Sequence, residues 1–269
     1  MRLLREYIRE LLLESQSSSK AIFMAGAPGS GKSTVINSLR LFDSFEIINP
    51  DDEYEDSKRK SNLPFDRSAL MDEYIPLKQA YTDAVEQNSL PFAYNQTAKC
   101  PQWMKFLNSV WEDDQESIAA IEPEYLRVRA ILSADAKAFA GARSMATARK
   151  KELMAKGKNY LVDGTGGSFS EINGQVSRLR AVGYDVAMIY NDIDLDSSIA
   201  RDIARGKSGG RRLGSKTVER SHGNVSKNKE NYQELFGQNF IYVNSASDNI
   251  EEEIANAKQQ LDSFMLKVI

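Results

Sequence analysis

Short apolar runs alternate along this chain with longer stretches of helical periodicity. Ala21-Ile22-Phe23-Met24, Phe45-Glu46-Ile47-Ile48-Asn49, Asn159-Tyr160-Leu161-Val162, Asp185-Val186-Ala187-Met188-Ile189-Tyr190 and Phe240-Ile241-Tyr242-Val243-Asn244 read as strands. Between them, apolar residues recur at three- and four-residue intervals, first at Val35, Ile36 and Leu39. Helices are predicted over 66–88, 102–120, 126–156, 172–182, 216–236 and 248–267, the third stopped by Gly157. A further helix is capped by Asp196-Ser197-Ser198 and broken by Gly206-Lys207-Ser208-Gly209-Gly210-Arg211-Arg212. Pro64, Pro76, Pro91, Pro101 and Pro123 interrupt residues 56–140, which read as a helical insertion on the substrate side. At the front, Leu4, Ile8, Leu11 and Leu12 give residues 2–14 an amphipathic helix that packs on the domain or docks on a partner. A polar linker follows, so the chain divides into an N-terminal helix and linker (1–19) and a domain over 20–269 with its insertion at about 56–140.

Composition narrows the chemistry. With 35 Lys and Arg against 38 Asp and Glu, the net charge of −3 supplies no global basic field for nucleic acid. One cysteine, Cys100, makes no internal disulfide and fits a reducing compartment. One histidine, His222, excludes a His-rich metal site and most Ser/His triads. No apolar run approaches a membrane span, so no membrane partner is expected.

The stretch Gly26-Ala27-Pro28-Gly29-Ser30-Gly31-Lys32-Ser33-Thr34 fits G-x-x-x-x-G-K-[ST] between the first strand and a helix, the context that a phosphate-binding loop requires. Its glycines let successive N–H groups approach one phosphate, and the helix N-terminus adds partial positive charge. Lys32 can reach the β/γ-phosphates and the Ser33 hydroxyl can ligate Mg²⁺. A nucleoside triphosphate is the predicted ligand.

Other candidates follow the strands. Asp51 and Asp52 come after the second strand, where ligands of parallel sheets sit. Such a carboxylate accepts a proton from an attacking hydroxyl, holds Mg²⁺ through water, or simply caps the next helix. Asp163 ends the third strand and leads into Gly164-Thr165-Gly166-Gly167-Ser168, so a second carboxylate faces the phosphates. Arg201 and Arg205 share a helix face, and Arg211-Arg212 follow on a glycine-flanked loop, a lid suited to clamping phosphate.

The set GAPGSGKST, Asn49-Pro50-Asp51-Asp52, Leu161-Val162-Asp163-Gly164-Thr165 and the arginines of 201–212 resembles the P-loop kinases related to zeta toxins and polynucleotide 5′-kinases, over most of residues 20–245. The resemblance implies a three-layer α/β P-loop NTPase fold with a parallel, nucleotide-kinase-like sheet. It implies ATP or GTP with Mg²⁺ and transfer of the γ-phosphate to a hydroxyl of a small molecule or a nucleic-acid end. By that likeness Asp51 is the general base, Asp163 and Thr165 meet the acceptor or metal shell, and Arg201 or Arg205 with Arg211 or Arg212 contact phosphates. Asp52 joins Thr165 on the acceptor, and Ser33 with Asp163 holds the metal. Such domains occur in phage and bacterial proteins, which implies a cytoplasmic or virion-associated setting. Gly167 and Ser168 stand where zeta toxins commonly carry Arg, and Glu53-Tyr54-Glu55 where polynucleotide kinases do, which leaves the acceptor open. An NTPase without acceptor, and an interaction protein that retains the fold and docks through helix 2–14, are the other readings.

Overall fold

The computed structural model describes residues 18–88 and 101–266. The expected helix over 2–14 and Cys100 lie outside them, as do the side chains of Trp103, Phe106 and Trp111. Five strands form one parallel sheet: β1 (Lys20–Ala25), β2 (Glu46–Ile48), β3 (Tyr160–Asp163), β4 (Asp185–Asp192) and β5 (Phe240–Asn244). Their order is β2-β3-β1-β4-β5, so the strand feeding the glycine-rich loop is central. Both faces of β1 are buried, as parallel strands require.

The period of two along the strands builds two cores. Ala21, Phe23, Ala25, Val186, Met188 and Tyr190 face one side. There they meet Ile172, Val176 and Leu179 of α5 (Phe169–Ala181), Val225 of α7 (Ser215–Ser226) and Tyr232 and Phe236 of α8 (Lys229–Phe236). Ile22, Met24, Leu161, Ala187, Ile189, Ile241 and Val243 face the other, against Val35, Ile36 and Leu39 and against Ala257, Leu261 and Phe264. These belong to α1 (Lys32–Ser38) and its following turn, and to α9 (Ile250–Met265). The result is a helix–sheet–helix sandwich whose central strand feeds the glycine-rich loop.

Between β2 and β3 run α2 (Pro50–Lys60), α3 (Arg67–Asn88) and α4 (Pro101–Ala155). The separate helices predicted over 102–120 and 126–156 are one helix of 55 residues, about 80 Å at 1.5 Å per residue. Pro123 lies inside it and removes one backbone N–H. Packing against α3 flanks that point: Tyr81 stacks on Tyr125 at 4.5 Å and donates to Glu122 at 3.3 Å. Arg127 pairs with Glu73, and Arg67 with Asp135, so α3 and α4 are antiparallel. Gly157 stops α4 as predicted, at φ +60°, with the Lys158 N–H on the Leu153 carbonyl.

Two other boundaries differ from the sequence expectation. The helix α6 (Leu195–Lys207) is capped by Asp194, whose carboxylate accepts from Ser197 N–H at 2.8 Å, rather than by residues 196–198. The stretch 216–236 divides into α7 and α8 at Lys227-Asn228. Asn228 there turns inward and donates to the Gly167 carbonyl at 3.2 Å.

Candidate active site

The carboxyl ends of β1, β2, β3 and β5 open onto one cleft of about 1390 Å³. The loop after β1 is shaped by Gly29 and Gly31, at φ +79° and +84°. Gly26 has no room for a side chain, since a Cβ there would stand 2.6 Å from the Asn191 carbonyl oxygen. That close packing ties the loop to both neighbouring strands. Gly26 N–H donates to the Thr165 carbonyl at 2.9 Å, and Asn191 donates to the Ser30 carbonyl at 2.8 Å. Asn191 also accepts from the Ser245 hydroxyl. Ser198 of α6 donates to the Pro28 carbonyl at 2.5 Å.

Lys32 folds over this loop, its Nζ donating to the Gly26 carbonyl at 3.0 Å. Burial pushes the ammonium below its usual range, against the opposing pull of the Asp163 and Asp51 carboxylates. Asp163 is buried beside it at the end of β3, in register with Met24. Burial pushes its carboxyl up, the Lys32 charge opposes this, and Asp51 and Asp52 add to it. One of its oxygens, Oδ1, has no hydrogen-bond partner.

A carboxyl held above its ordinary pKa of 3.8 binds more protons folded than unfolded, so it destabilises the fold once pH exceeds the unfolded value. The penalty is absent below pH 3.8, grows as pH rises toward the folded pKa, and is complete above it. An Asp163→Asn variant therefore melts higher than wild type at pH 7, and the difference closes as pH falls toward 4. Paired melting curves across that range check the sign, and equal melting temperatures at pH 7 would contradict it.

Asn49 caps α2 by accepting from Asp51 N–H at 3.0 Å, and Pro50 occupies the first turn. Asn49 thus takes the capping role that Asp51 and Asp52 could have filled. Both carboxylates face the cleft. Asp51 is held by Arg211, 160 residues away, with NH1 on Oδ1 at 2.9 Å and NH2 on Oδ2 at 2.8 Å. Arg211 is buried, lies 5.4 Å over the ring of Tyr54, and is held above its usual range by the Asp51 pair, against desolvation. Asp52 is pushed up by burial and by Glu55.

The predicted arginines converge on the same cleft, each in a different way. Arg201 donates to the carbonyls of Gly29 at 3.1 Å and Ser245 at 3.2 Å. Arg205 donates to Asp202 at 3.2 Å. The Nε–H groups of Arg205, Arg211 and Arg212 are all buried without an acceptor. Three orphaned cationic donors around a glycine cradle fit a polyphosphate, and the free Asp163 oxygen fits a cation beside it. Ser33 and Asp163 line the cleft together with Thr165. Among the described residues no cluster of three or more His, Cys, Asp or Glu could hold a metal.

Sequence reasoning missed part of the wall. Thr217, Arg220, Ser221 and Asn224 line the cleft from one face of α7, a polar i, i+3, i+4, i+7 spacing that was readable. Tyr54, Arg67 and Phe139 line it from the insertion side, with no sequence signal to mark them. His222 bonds the Ile193 carbonyl at 2.8 Å. Among the described residues no helix is long and apolar enough to cross a membrane.

No protein-family model matches the chain, and no curated protein does. Among solved structures it is similar to a presumed kinase from Chloroflexus aurantiacus, at 11% identity and a TM-score of 0.49, over 93% of this chain and 99% of that one. It is also similar to a structure from the PezAT toxin–antitoxin system of Streptococcus pneumoniae, at 15% and 0.44, over 99% and 95%. Shikimate kinase from Acinetobacter baumannii, in complex with shikimate, resembles it at 11% and 0.44, over 94% and 99%. These are likenesses of outline. The three-layer α/β fold with a phosphate-binding loop is read from the sheet order and the glycine loop themselves.

Proposed function

We propose that this chain is a phosphotransferase that moves the γ-phosphate of ATP or GTP to a hydroxyl of a small molecule or a nucleic-acid end, as the resemblance to zeta-toxin-like kinases implies. The observation that carries the reading is the size and lining of the cleft. About 1390 Å³ exceeds the roughly 300–1,000 Å³ that a single small-molecule site occupies. Its lining takes in the glycine loop, Asp51, Tyr54, Arg67 and the polar face of α7. Room beyond one nucleotide supports an acceptor beside the donor and favours a kinase over an NTPase that uses only water.

Each group then has a role. Residues 26–34 and Lys32 hold the triphosphate. Ser33 and Asp163 would hold Mg²⁺, which would supply charge neutralisation at the phosphates. Asp51 accepts the proton of the acceptor hydroxyl as its oxygen bonds to the γ-phosphorus and the bond to the leaving diphosphate breaks. Asp52 and Thr165 contact the acceptor. Arg201, Arg205, Arg211 and Arg212 stabilise charge on the transferring group. Arg211 has two duties in this scheme: it holds Asp51 through one N–H of each terminal nitrogen, and it meets phosphate through its remaining donors, the unpaired Nε–H among them. Its exchange between Asp51 and the phosphoryl oxygens frees the carboxylate when the donor is in place. In this reading residues 20–269 act as one kinase domain.

The deciding experiment follows γ-labelled ATP with Mg²⁺ in the presence of pooled nucleosides, nucleotide-sugars and 5′-hydroxyl oligonucleotides. Label on an acceptor establishes the kinase and names its substrate class. Label released only as free phosphate replaces this reading with an NTPase. ATP binding without any turnover replaces it with an interaction protein.

A further inference from the structure

Asp202 is a buried carboxylate, 1% exposed, that belongs to none of the groups given a chemical role above. It points from the middle of α6 at the segment that follows that helix. Its Oδ1 accepts from Leu213 N–H at 3.1 Å and from Arg205 at 3.2 Å. Its Oδ2 accepts from Gly214 N–H at 3.1 Å and shares the Leu213 N–H at 3.2 Å. Two backbone amides and one guanidinium thus meet on one acceptor-only group. Leu213 and Gly214 directly follow Arg211 and Arg212, so the clamp closes at the base of the arginine pair.

The rest of the segment is laid flat against α6. The Arg205 carbonyl accepts from Gly210 N–H at 3.0 Å and from the Ser208 hydroxyl at 2.9 Å. A Cβ on Gly206 would stand 2.9 Å from Arg212 Cβ, and one on Gly210 would stand 2.8 Å from Arg205 Cγ. The glycines flanking the arginines therefore serve close packing as well as flexibility, and a lid that sequence alone reads as free is tied at both ends. A neutral Asn would cover two N–H donors as well as a carboxylate covers them only if no amide hydrogen faced them. With donors on both oxygens, either orientation of Asn sets an NH₂ against an N–H.

We propose that Asp202 is the positioning residue of this site. Through Leu213 and Gly214 it fixes the segment carrying Arg211 and Arg212, and through its own guanidinium bond it fixes Arg205. It touches no reacting atom and acts only through those arginines. The kinetic half of the proposal rests on the phosphotransferase reading, whereas the clamp itself is measured without turnover.

The test uses the full chain. Amide hydrogen exchange on the wild-type protein should show Leu213 and Gly214 protected far beyond an exposed loop, and free exchange at both would overturn the clamp whatever any variant does. Asp202→Asn should open the segment, read as tryptic cleavage after Arg211 and Arg212 at least ~10-fold faster, since local opening sets that rate. In transfer assays kcat should fall on the order of 10²-fold, the cost of displacing groups by about an ångström, with the KM for ATP within a few-fold. The readout that a structural role would not give is Asp202→Asn added to the triple variant Arg205→Ala/Arg211→Ala/Arg212→Ala. It should be little worse than the triple variant alone, because the carboxylate works only through those arginines. Losses that multiply, or a segment cut no faster in Asp202→Asn, would overturn the proposal. If wild type transfers no phosphate to any acceptor, the phosphotransferase reading fails while exchange and cleavage still decide the clamp.

Discussion

Asp51→Asn will bind ATP about as tightly as the wild-type protein and turn over some 10²–10⁴-fold more slowly, the loss that accompanies removal of a general base. Lys32→Ala will lose turnover and weaken ATP binding together, because its ammonium sits on the loop that holds the phosphates. The contrast between the two follows from their places in the cleft. Lys32 bonds back to the Gly26 carbonyl, while Asp51 belongs to α2, across the cleft and bonded to the lid. Titration calorimetry separates the binding terms, and initial rates at saturating ATP give kcat. Asparagine keeps the shape of Asp51 and can still meet Arg211 through one oxygen, so loss of the ion pair is a smaller effect than loss of the proton acceptor. Arg211→Ala provides the control: it leaves the carboxylate in place and removes a clamp. If Asp51→Asn turns over at the wild-type rate, the base lies elsewhere and Asp51 is only the counter-ion of Arg211.

Much of this site was legible because its parts are local. Residues 26–34 carry their own geometry, and Asp163 is placed by being the last residue of an apolar strand next to β1. The pairing of Asp51 with Arg211 was not legible. Each was marked as a candidate from its own neighbourhood, but nothing in either neighbourhood points across 160 residues to the other. Only the sheet order, which brings the ends of β2 and β4 to either side of β1 and β3, makes them meet. The cap of α6 shows the opposite failure. Asp194 and Asp196 are equally good caps by type, and the choice depends on where the chain leaves β4. Pro123 misled for a third reason. Propensity counts the lost hydrogen bond as a break, yet the bond from Tyr81 to Glu122 before it and the stacking of Tyr81 on Tyr125 after it hold the helix on both sides. The amphipathic character of 56–140 says that these helices pack, without saying that Tyr54, Arg67 and Phe139 reach the cleft.

Asp135→Ala will destabilise the protein by about 3–5 kcal/mol, the cost of leaving a buried ion without its partner. Lys58 is 0% exposed and its Nζ lies 2.8 Å from Asp135 Oδ1. The same carboxylate accepts from Tyr54 at 2.5 Å and from Arg67 at 2.8 Å. Three donors from α2 and α3 therefore converge on one residue of α4, which makes Asp135 the pin between the insertion and the helix that carries Asp51. Burial works against its ionised form, but the bonds from Lys58 and Tyr54 prevail and hold the carboxyl below its usual range. A depressed pKa contributes stability that is present above the unfolded value of 3.8 and is lost as pH falls through the folded one. The gap between wild type and Asp135→Ala in a denaturant titration should accordingly be full at pH 7 and narrow below pH 4. At neutral pH it corresponds to roughly 10 °C in melting temperature for a chain of this size. The double variant Lys58→Met/Asp135→Leu removes both charges and should recover much of the loss, since apolar replacement of a buried pair is often neutral. Should that double variant fall as far as Asp135→Ala alone, the Tyr54 and Arg67 bonds, rather than the orphaned ammonium, would be what the pin supplies. ATP affinity gives the functional side of the same experiment. The glycine loop is built on β1, α6 and Asn191, so folded Asp135→Ala should keep its nucleotide and, on the proposed phosphotransferase reading, lose affinity for the acceptor, since Tyr54 and Arg67 line the cleft.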